Sequence, residues 1–484
     1  MTALPYRSRK NSSSEASDSC SIVIVGNGMA GSRLAQELRA RDADLEITVI
    51  GAEQGGAYNR VLLSHVLAGT VRAEDIVLAR PDWYAAHRVR LHAGVRAAAL
   101  DRDARVVRTD AACIRYDALV LATGSTAVVP PIDGIDAALP FRTLHDCAAI
   151  LDRAAAATRA VVIGGGLLGL EAARGLAGRG LPTTVVHMAG HLMERQLDAG
   201  AGRVLGRTLS GMGIEVLTDA CTAAVDDAGV LLADGRHLSA DLVVLACGVR
   251  PDVELAQRAG LAVERGVLVD DQLRSITDER VYAIGECAQH DGQVYGLVAP
   301  CWEQARVLAD VLAGRTAAYG GTRTVTRLKA AGVELAAMGE TDTDTADLVT
   351  FADAARGIYQ KLLLRDERIV GAILLGDTRA AGTVTQLFDR GAAAPHDRAA
   401  LLFGGAARAE AESPTLIPDR ATICQCNGVT KGAIRDAWQA GARSVTEIAS
   451  TTRATTGCGT CRDTVCGLLG WLSAADAQPA LEAS

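Results

Sequence analysis

The apolar run over residues 21–25 (SIVIV) gives way to a glycine-rich turn, GNGMAG, then to a helical stretch over 32–39 and a second apolar run over 47–50. Strand, turn, helix and strand make one βαβ unit. The same pattern returns at 160–163 (AVVI) and runs through GGGLLG and a helix reaching Ala177 to a strand over 183–186. Two copies of one unit in a chain of 484 residues predict an α/β fold with two doubly wound dinucleotide-binding domains on parallel sheets. At roughly 150 residues per domain there is room for about three domains.

Past 320 the pattern changes. Residues 321–403 read as a separate small α+β domain, and 404–420 as a linker rich in Gly, Ala, Glu and Pro, including Pro414 and Pro418, with no apolar period. Over 421–475 two short helices follow: Thr430 caps one that ends at Gly441, and Ser444 with Glu447 makes a capping box for the next. Residues 1–20 are Ser-rich, carry both Arg and Glu, and lack the apolar centre of a signal peptide, so they read as a flexible leader.

Composition narrows the function. No apolar run approaches the ~18 residues of a bilayer span, so no membrane partner is expected and the cytoplasm is the expected location. A net charge of -8 leaves no basic face to displace phosphate counterions, which argues against a nucleic-acid partner. Of 12 cysteines, seven are scattered singly and five lie between Cys424 and Cys466. That distribution is not a disulfide scaffold, and the cluster asks for metal or redox chemistry.

In GNGMAG, Gly26 permits the tight bend, Gly28 lets the backbone approach a pyrophosphate, and Gly31 lets the helix pack on the strand. The helix N-terminus then faces the phosphates with unbonded N–H groups and its positive dipole end. Glu53, 22 positions past Gly31, stands where an acid holds a ribose hydroxyl. The second turn repeats the spacing with Gly164, Gly166 and Gly169, but its ribose position is His187, 18 positions past Gly169. Histidine decides neither NAD nor NADP. No Arg stands between His187 and Gly190, so NADH is expected over NADPH; a histidine at a strand end with no ligand is the alternative.

Further segments make a resemblance specific: YDALVLATGS at 116–125, LVVLACGVRPD at 242–252 and VYAIGECA at 281–288. From about residue 21 to 400 the chain resembles the flavoproteins with two dinucleotide-binding domains, the glutathione-reductase-like family that includes ferredoxin and rubredoxin reductases. The resemblance implies an FAD domain over 21–143 and 255–320, interrupted by an NAD(P)H domain over 144–254. It implies FAD at the first turn, with Ala30, Ala122, Thr123, Gly124 and Gly285 among its contacts, Glu286 against the ribityl chain, and Arg60 of the Tyr58-Asn59-Arg60 segment on the cofactor. It implies NAD(P)H at the second turn, with Leu168 and Gly248 in the site and Glu171 near the nicotinamide and the flavin ring as the catalytic residue. For Glu171 the plain alternative is an exposed charge in a helix's first turn. The redox cysteine pair of the disulfide reductases has no counterpart between Gly51 and Arg80, where Ser64 and His65 stand, and Cys247, Cys287 and Cys301 read as buried small side chains.

Cys424 and Cys426 are one residue apart, Cys458 and Cys461 two apart, and 31 residues separate the pairs. Four thiolates suit a 2Fe-2S cluster or a tetrahedral zinc; the tight CxC pair is less typical of zinc. ICQCNGVT and TRATTGCGTC resemble bacterioferritin-associated ferredoxin, over about 421–470, which implies a small helical 2Fe-2S domain with Cys424, Cys426, Cys458 and Cys461 as ligands. Cys466 reads as an additional buried cysteine.

The expected path runs from NADH to FAD, to the cluster, to an outside protein acceptor, because a hydride brings two electrons and a cluster takes one. The domain order resembles the electron-transfer flavoprotein subunits of assimilatory nitrate reductases and the N-terminal half of NADH-dependent nitrite reductase large subunits. The resemblance implies that the acceptor is a nitrate reductase catalytic subunit. Only 18 residues follow Cys466, so the sirohaem domain of the nitrite reductases is not expected, nor nitrite reduction by this chain. A rubredoxin or ferredoxin reductase, an opine or amino-acid dehydrogenase subunit and a non-enzymatic redox sensor are the alternatives.

Overall fold

The described residues fall into two compact units: one from 20–60, 71–128 and 249–322, the other from 61–70, 129–248 and the described residues of 323–477. The structure is a computed structural model describing residues 20–477 except Lys329, Ala331, 404–416, Gln425 and 458–460. The expected leader, apart from Cys20, and most of the expected linker therefore lie outside the described residues.

In the first unit, strand Ser21–Val25 is buried along nearly its whole length and lies between Glu46–Gly51 and Ala118–Leu121, all parallel. Val281–Ala283 and Val89–Ala93 complete a five-stranded parallel sheet. Strands with no polar face need cover on both sides, which helices supply. The helix Met29–Arg41 buries Leu34, Ala35 and Leu38 and packs beside the helix Val298–Leu312. It starts three residues before the expected 32–39 stretch because its N-cap, Gly28, belongs to the glycine turn itself. Its last turn is basic, suiting the negative dipole end, and Arg41 pairs with Asp310 at 2.8 Å.

The second unit holds another parallel sheet with the same internal order. Ala160–Ile163 lies between Thr183–Val186 and Leu242–Leu245, flanked by Ile214–Leu217 and Leu139–Pro140. The helix Leu167–Gly178 follows the second turn, and Asp198 caps Ala199–Gly211 by accepting the Ala201 N–H at 2.8 Å. An antiparallel sheet of five strands comes next, in the order Val325–Arg327, Leu335–Gly339, Arg368–Leu375, Ile358–Arg365, Asp347–Asp353. Helices Ala381–Arg390 and Arg398–Phe403 follow it.

Beyond 416 the described residues form a hairpin, Thr422–Cys424 with Val429–Thr430, and three helices, Lys431–Gln439, Val445–Thr452 and Arg462–Ala477. Thr430 caps the first by accepting the Ala433 N–H at 3.2 Å, and Ser444 and Glu447 form the capping box of the second. Residues 417–420 of the expected linker are a turn fastened to the first helix. Lys431, 5% exposed, reaches the Ile417 carbonyl at 2.7 Å, and Gly432 N–H bonds the Asp419 carbonyl at 2.8 Å.

Candidate nucleotide and iron–sulfur sites

Register fixes where the first site falls. Val25 pairs with Leu121, and Leu121 with Ala283, so the glycine turn, Ala122–Gly124 and Gly285–Glu286 all leave the parallel sheet at its carboxyl edge, the ligand edge of such folds. Gly26 has φ +117°, and a Cβ there would sit 2.0 Å from the Ala122 carbonyl oxygen; one on Gly31 would sit 1.9 Å from that of Gly26. Nothing lies within 4 Å of a Cβ built on Gly28. The turn is thus sealed against its own sheet on one side and open on the other, as a pyrophosphate cradle requires.

Side chains of the segments that leave the same edge, and of 53–60, pair with one another. Tyr58 donates its hydroxyl to Glu53 at 2.7 Å, Arg60 pairs with the other oxygen of Glu53, and the Arg60 guanidinium lies 4.9 Å from the Tyr58 ring centre. Ser125 donates to Glu286 at 2.5 Å, and Thr123 to the Asp252 carbonyl at 2.6 Å. The Gly285 N–H bonds the side-chain oxygen of Gln304, which is 1% exposed; its buried Nε2 has no partner among the described residues. Gln304 had no signal in the sequence: it is a mid-helix residue 19 positions from the turn it orders.

The second site repeats this edge. Ile163 pairs with Val186 and Leu245, bringing Gly164, His187 and the 246–248 turn together. Gly164 has φ +116° and closes on the Ala246 carbonyl, Gly169 closes on Gly164, and Gly166 faces open space. Gly248, φ +96°, is likewise open. Leu168 lies in the first turn of the helix behind the glycines. His187 is 6% exposed; its Nδ1 accepts the Gly165 N–H at 3.1 Å and its Nε2 lies 3.0 Å from Glu194. Glu171 is 4% exposed, which excludes the exposed-charge alternative.

Cys247, Cys287 and Cys301 are poorly placed for redox chemistry. Cys287 and Cys301 are buried, Cys247 is half-buried, and burial pushes the Cys247 and Cys287 thiols up, away from the reactive thiolate.

In the C-terminal domain Cys424, Cys426 and Cys461 are 2%, 7% and 7% exposed, and Cys458 lies outside the described residues. Among the described residues alone, no group of three His, Cys, Asp or Glu side chains makes a metal site. The surroundings fit sulfur ligands bent around a cluster: a Cβ on Gly457 would lie 3.2 Å from the Cys426 sulfur. The Asn427 amide approaches the Cys424 sulfur at 3.9 Å while bonding the Arg453 carbonyl at 2.7 Å and the Thr456 hydroxyl at 3.2 Å. It thereby ties the first cysteine pair to the turn that leads to the second. Cys466, expected to be buried, is exposed on the last helix.

Two dinucleotide folds with their own glycine turns and a cysteine-bearing C-terminal domain define a nucleotide-linked redox protein. Residues 20–305 match the pyridine nucleotide-disulphide oxidoreductases, and the chain belongs to that family. Residues 325–392 match the rubredoxin NAD+ reductase C-terminal domain, and 422–471 the BFD-like [2Fe-2S] binding domain. The chain is an NAD(P)H-dependent oxidoreductase with FAD and 2Fe-2S as its cofactors. It is 40% identical to nitrite reductase [NAD(P)H] of Bacillus subtilis (strain 168) over 92% of its length and 56% of the relative's. It is 37% identical to the assimilatory nitrate reductase electron transfer subunit of the same organism, over 93% of its length and 60% of the relative's. The chain thus spans somewhat over half the length of these relatives. Among solved structures it resembles the covalent putidaredoxin reductase–putidaredoxin complex, with a TM-score of 0.73 and 27% identity over 81% of this chain and 99% of that one. No helix among the described residues is long and apolar enough to cross a membrane.

Proposed function

We propose that the chain takes hydride from NADH and delivers electrons to a separate protein, the catalytic subunit of an assimilatory nitrate reductase. One observation carries the reading: a hydride-handling family match at 20–305 and a 2Fe-2S domain at 422–471 lie in one chain. FAD supplies the exchange between a two-electron donor and a one-electron acceptor. The residues' part is binding and placement. Gly26, Gly28, Ala30 and Gly31 cradle its pyrophosphate, Glu53 and Arg60 hold the ribose end, Ala122–Gly124 and Gly285 line the site, and Ser125 orients Glu286 toward the ribityl chain. Gly164, Gly166, Leu168, Gly169 and Gly248 seat the nicotinamide nucleotide, with Glu171 as the catalytic residue on the helix behind that turn. Cys424, Cys426, Cys458 and Cys461 hold the cluster. Assignment of 21–143 with 255–320 to FAD and of 144–254 to the nicotinamide nucleotide belongs to the same reading.

The likeness to the Bacillus subtilis electron transfer subunit supports nitrate as the terminal substrate. The equal reach of the nitrite reductase match favours a second reading, the electron-input portion of a nitrite-reducing enzyme. Anaerobic assays separate them. The protein alone is expected to oxidise NADH with ferricyanide and to consume neither anion. Adding the nitrate reductase catalytic subunit is expected to start NADH-dependent nitrate loss, which Cys424→Ser abolishes while flavin bleaching by NADH persists. Nitrate loss at the normal rate with that variant would show the electron path to be wrong.

A further inference from the structure

The end of strand Thr183–Val186 is where a dinucleotide fold meets the adenosine ribose, and there the chain carries a histidine in place of an acid. His187 Nδ1 accepts the Gly165 N–H at 3.1 Å, so in the neutral ring the proton sits on Nε2. Nε2 lies 3.0 Å from Glu194 and donates to its Oε2. The Gly165 carbonyl in turn accepts the Met193 N–H at 3.0 Å. One residue of the glycine turn therefore holds both the imidazole and the neighbour of the glutamate. The anchoring is tight: Met193 is wholly buried, its carbonyl accepts the N–H groups of Gln196 and Leu197, and a Cβ on Gly165 would lie 2.6 Å from Leu192 and 2.8 Å from the His187 ring. The Glu194 side chain nevertheless keeps 40% of its surface, and its Oε1 makes no hydrogen bond among the described residues.

We propose that Glu194, carried on His187, is the acid that selects NADH. Its outer oxygen accepts a hydroxyl of the adenosine ribose, and its charge repels a 2′-phosphate. His187 is a positioning residue: it replaces a strand-end acid by supporting one from the following loop. The inference rests on the second glycine turn being the nicotinamide nucleotide site. Arg195, exposed and adjacent, is the competing group, since an arginine there would hold a 2′-phosphate. Glu194 prevails because it is already fixed, whereas an exposed arginine surrenders rotamer freedom to bind.

Calorimetric titration of the oxidised, cofactor-loaded protein with NAD+ and with NADP+ tests this. Wild type binds NAD+ more tightly. Glu194→Gln, which keeps an acceptor and removes the charge, is expected to tighten NADP+ binding about ten-fold. Glu194→Ala is expected to weaken NAD+ binding about ten-fold, and Arg195→Ala to leave the ratio of the two affinities within about two-fold. His187→Gln is expected to weaken NAD+ binding in the wild type but not in Glu194→Ala, a coupling that a purely structural histidine would not show. An unchanged ratio in both Glu194 variants, with NAD+ still bound, overturns the inference and leaves the nucleotide site standing. A ratio that moves only in Arg195→Ala also overturns it, and wild-type protein that binds neither nucleotide overturns the inference and the site together.

Discussion

Lys361 Nζ lies 2.9 Å from Asp198 Oδ2, with the two side chains only 6% and 10% exposed. Tyr359 donates to the same oxygen at 2.7 Å, and Lys361 also bonds the Thr341 carbonyl at 3.1 Å. Because the other Asp198 oxygen caps the helix Ala199–Gly211, one carboxylate joins that helix to the antiparallel sheet within the second unit. Asp198→Asn keeps the cap but takes the nearer carboxylate from the buried ammonium, leaving it the Thr341 carbonyl and Asp342 at 3.5 Å, and is expected to cost about 3 kcal/mol in urea unfolding. Burial acts to raise the Asp198 pKa, but the Ala201 N–H, Lys361 and Tyr359 outweigh it and hold the carboxyl below its usual range. The contribution is therefore present above the ordinary Asp range and lost as pH falls through the lower, folded value. Wild type should lose more stability than Asp198→Asn between about pH 6 and pH 3.

The two glycine turns are separable. Gly31→Ala drives a methyl into the Gly26 carbonyl and should yield protein with little bound flavin. Gly169→Ala, which meets the Gly164 carbonyl at 2.0 Å, should retain flavin and fail to bind NAD+. Flavin absorbance per chain and nucleotide titration read the two outcomes.

Ser125 and Glu286 form a second separable pair. Ser125→Ala leaves Glu286 without its 2.5 Å donor and should lower flavin affinity by about 1 kcal/mol. Glu286→Ala should lower it further, measured by the rise in fluorescence as flavin is released on dilution.

In the C-terminal domain Cys461→Ser should remove iron and its broad visible absorbance while flavin remains. Asn427→Leu removes an N–H donor from the Cys424 sulfur and should leave the iron in place but shift the cluster potential to a more negative value, since hydrogen bonds to the sulfurs stabilise the reduced form. Zinc in place of iron in anaerobically purified protein would refute the cluster assignment.

What could be read in advance follows the range of the forces involved. The strands at 21–25 and 160–163, the glycine turns, and the caps at Thr430 and Ser444 are set by neighbours a few residues away, and they stand where the pattern put them. Glu171 could be placed on its helix, but not its burial, which depends on what covers the helix. Glu194 escaped because its place is set by an irregular loop bonded to Gly165, and such loops carry no period. Lys361 sits in an apolar strand, IYQKLLLR, where its partner is 163 positions away and nothing local points to it.

The turn at 417–420 changes where the C-terminal domain begins. Lys431 is held by the Ile417 carbonyl, stands 3.9 Å from Asp419 and lies 5.0 Å from the Trp471 ring centre, while Asp419 also pairs with Arg435. A fragment cut at the first cysteine-bearing strand would withdraw that carbonyl and that carboxylate from a buried ammonium. The portable piece, whether moved between proteins by recombination or by hand, therefore carries Ile417–Arg420 with it, and a graft starting at Thr422 inherits the first cysteine pair without the anchor of the helix that follows it.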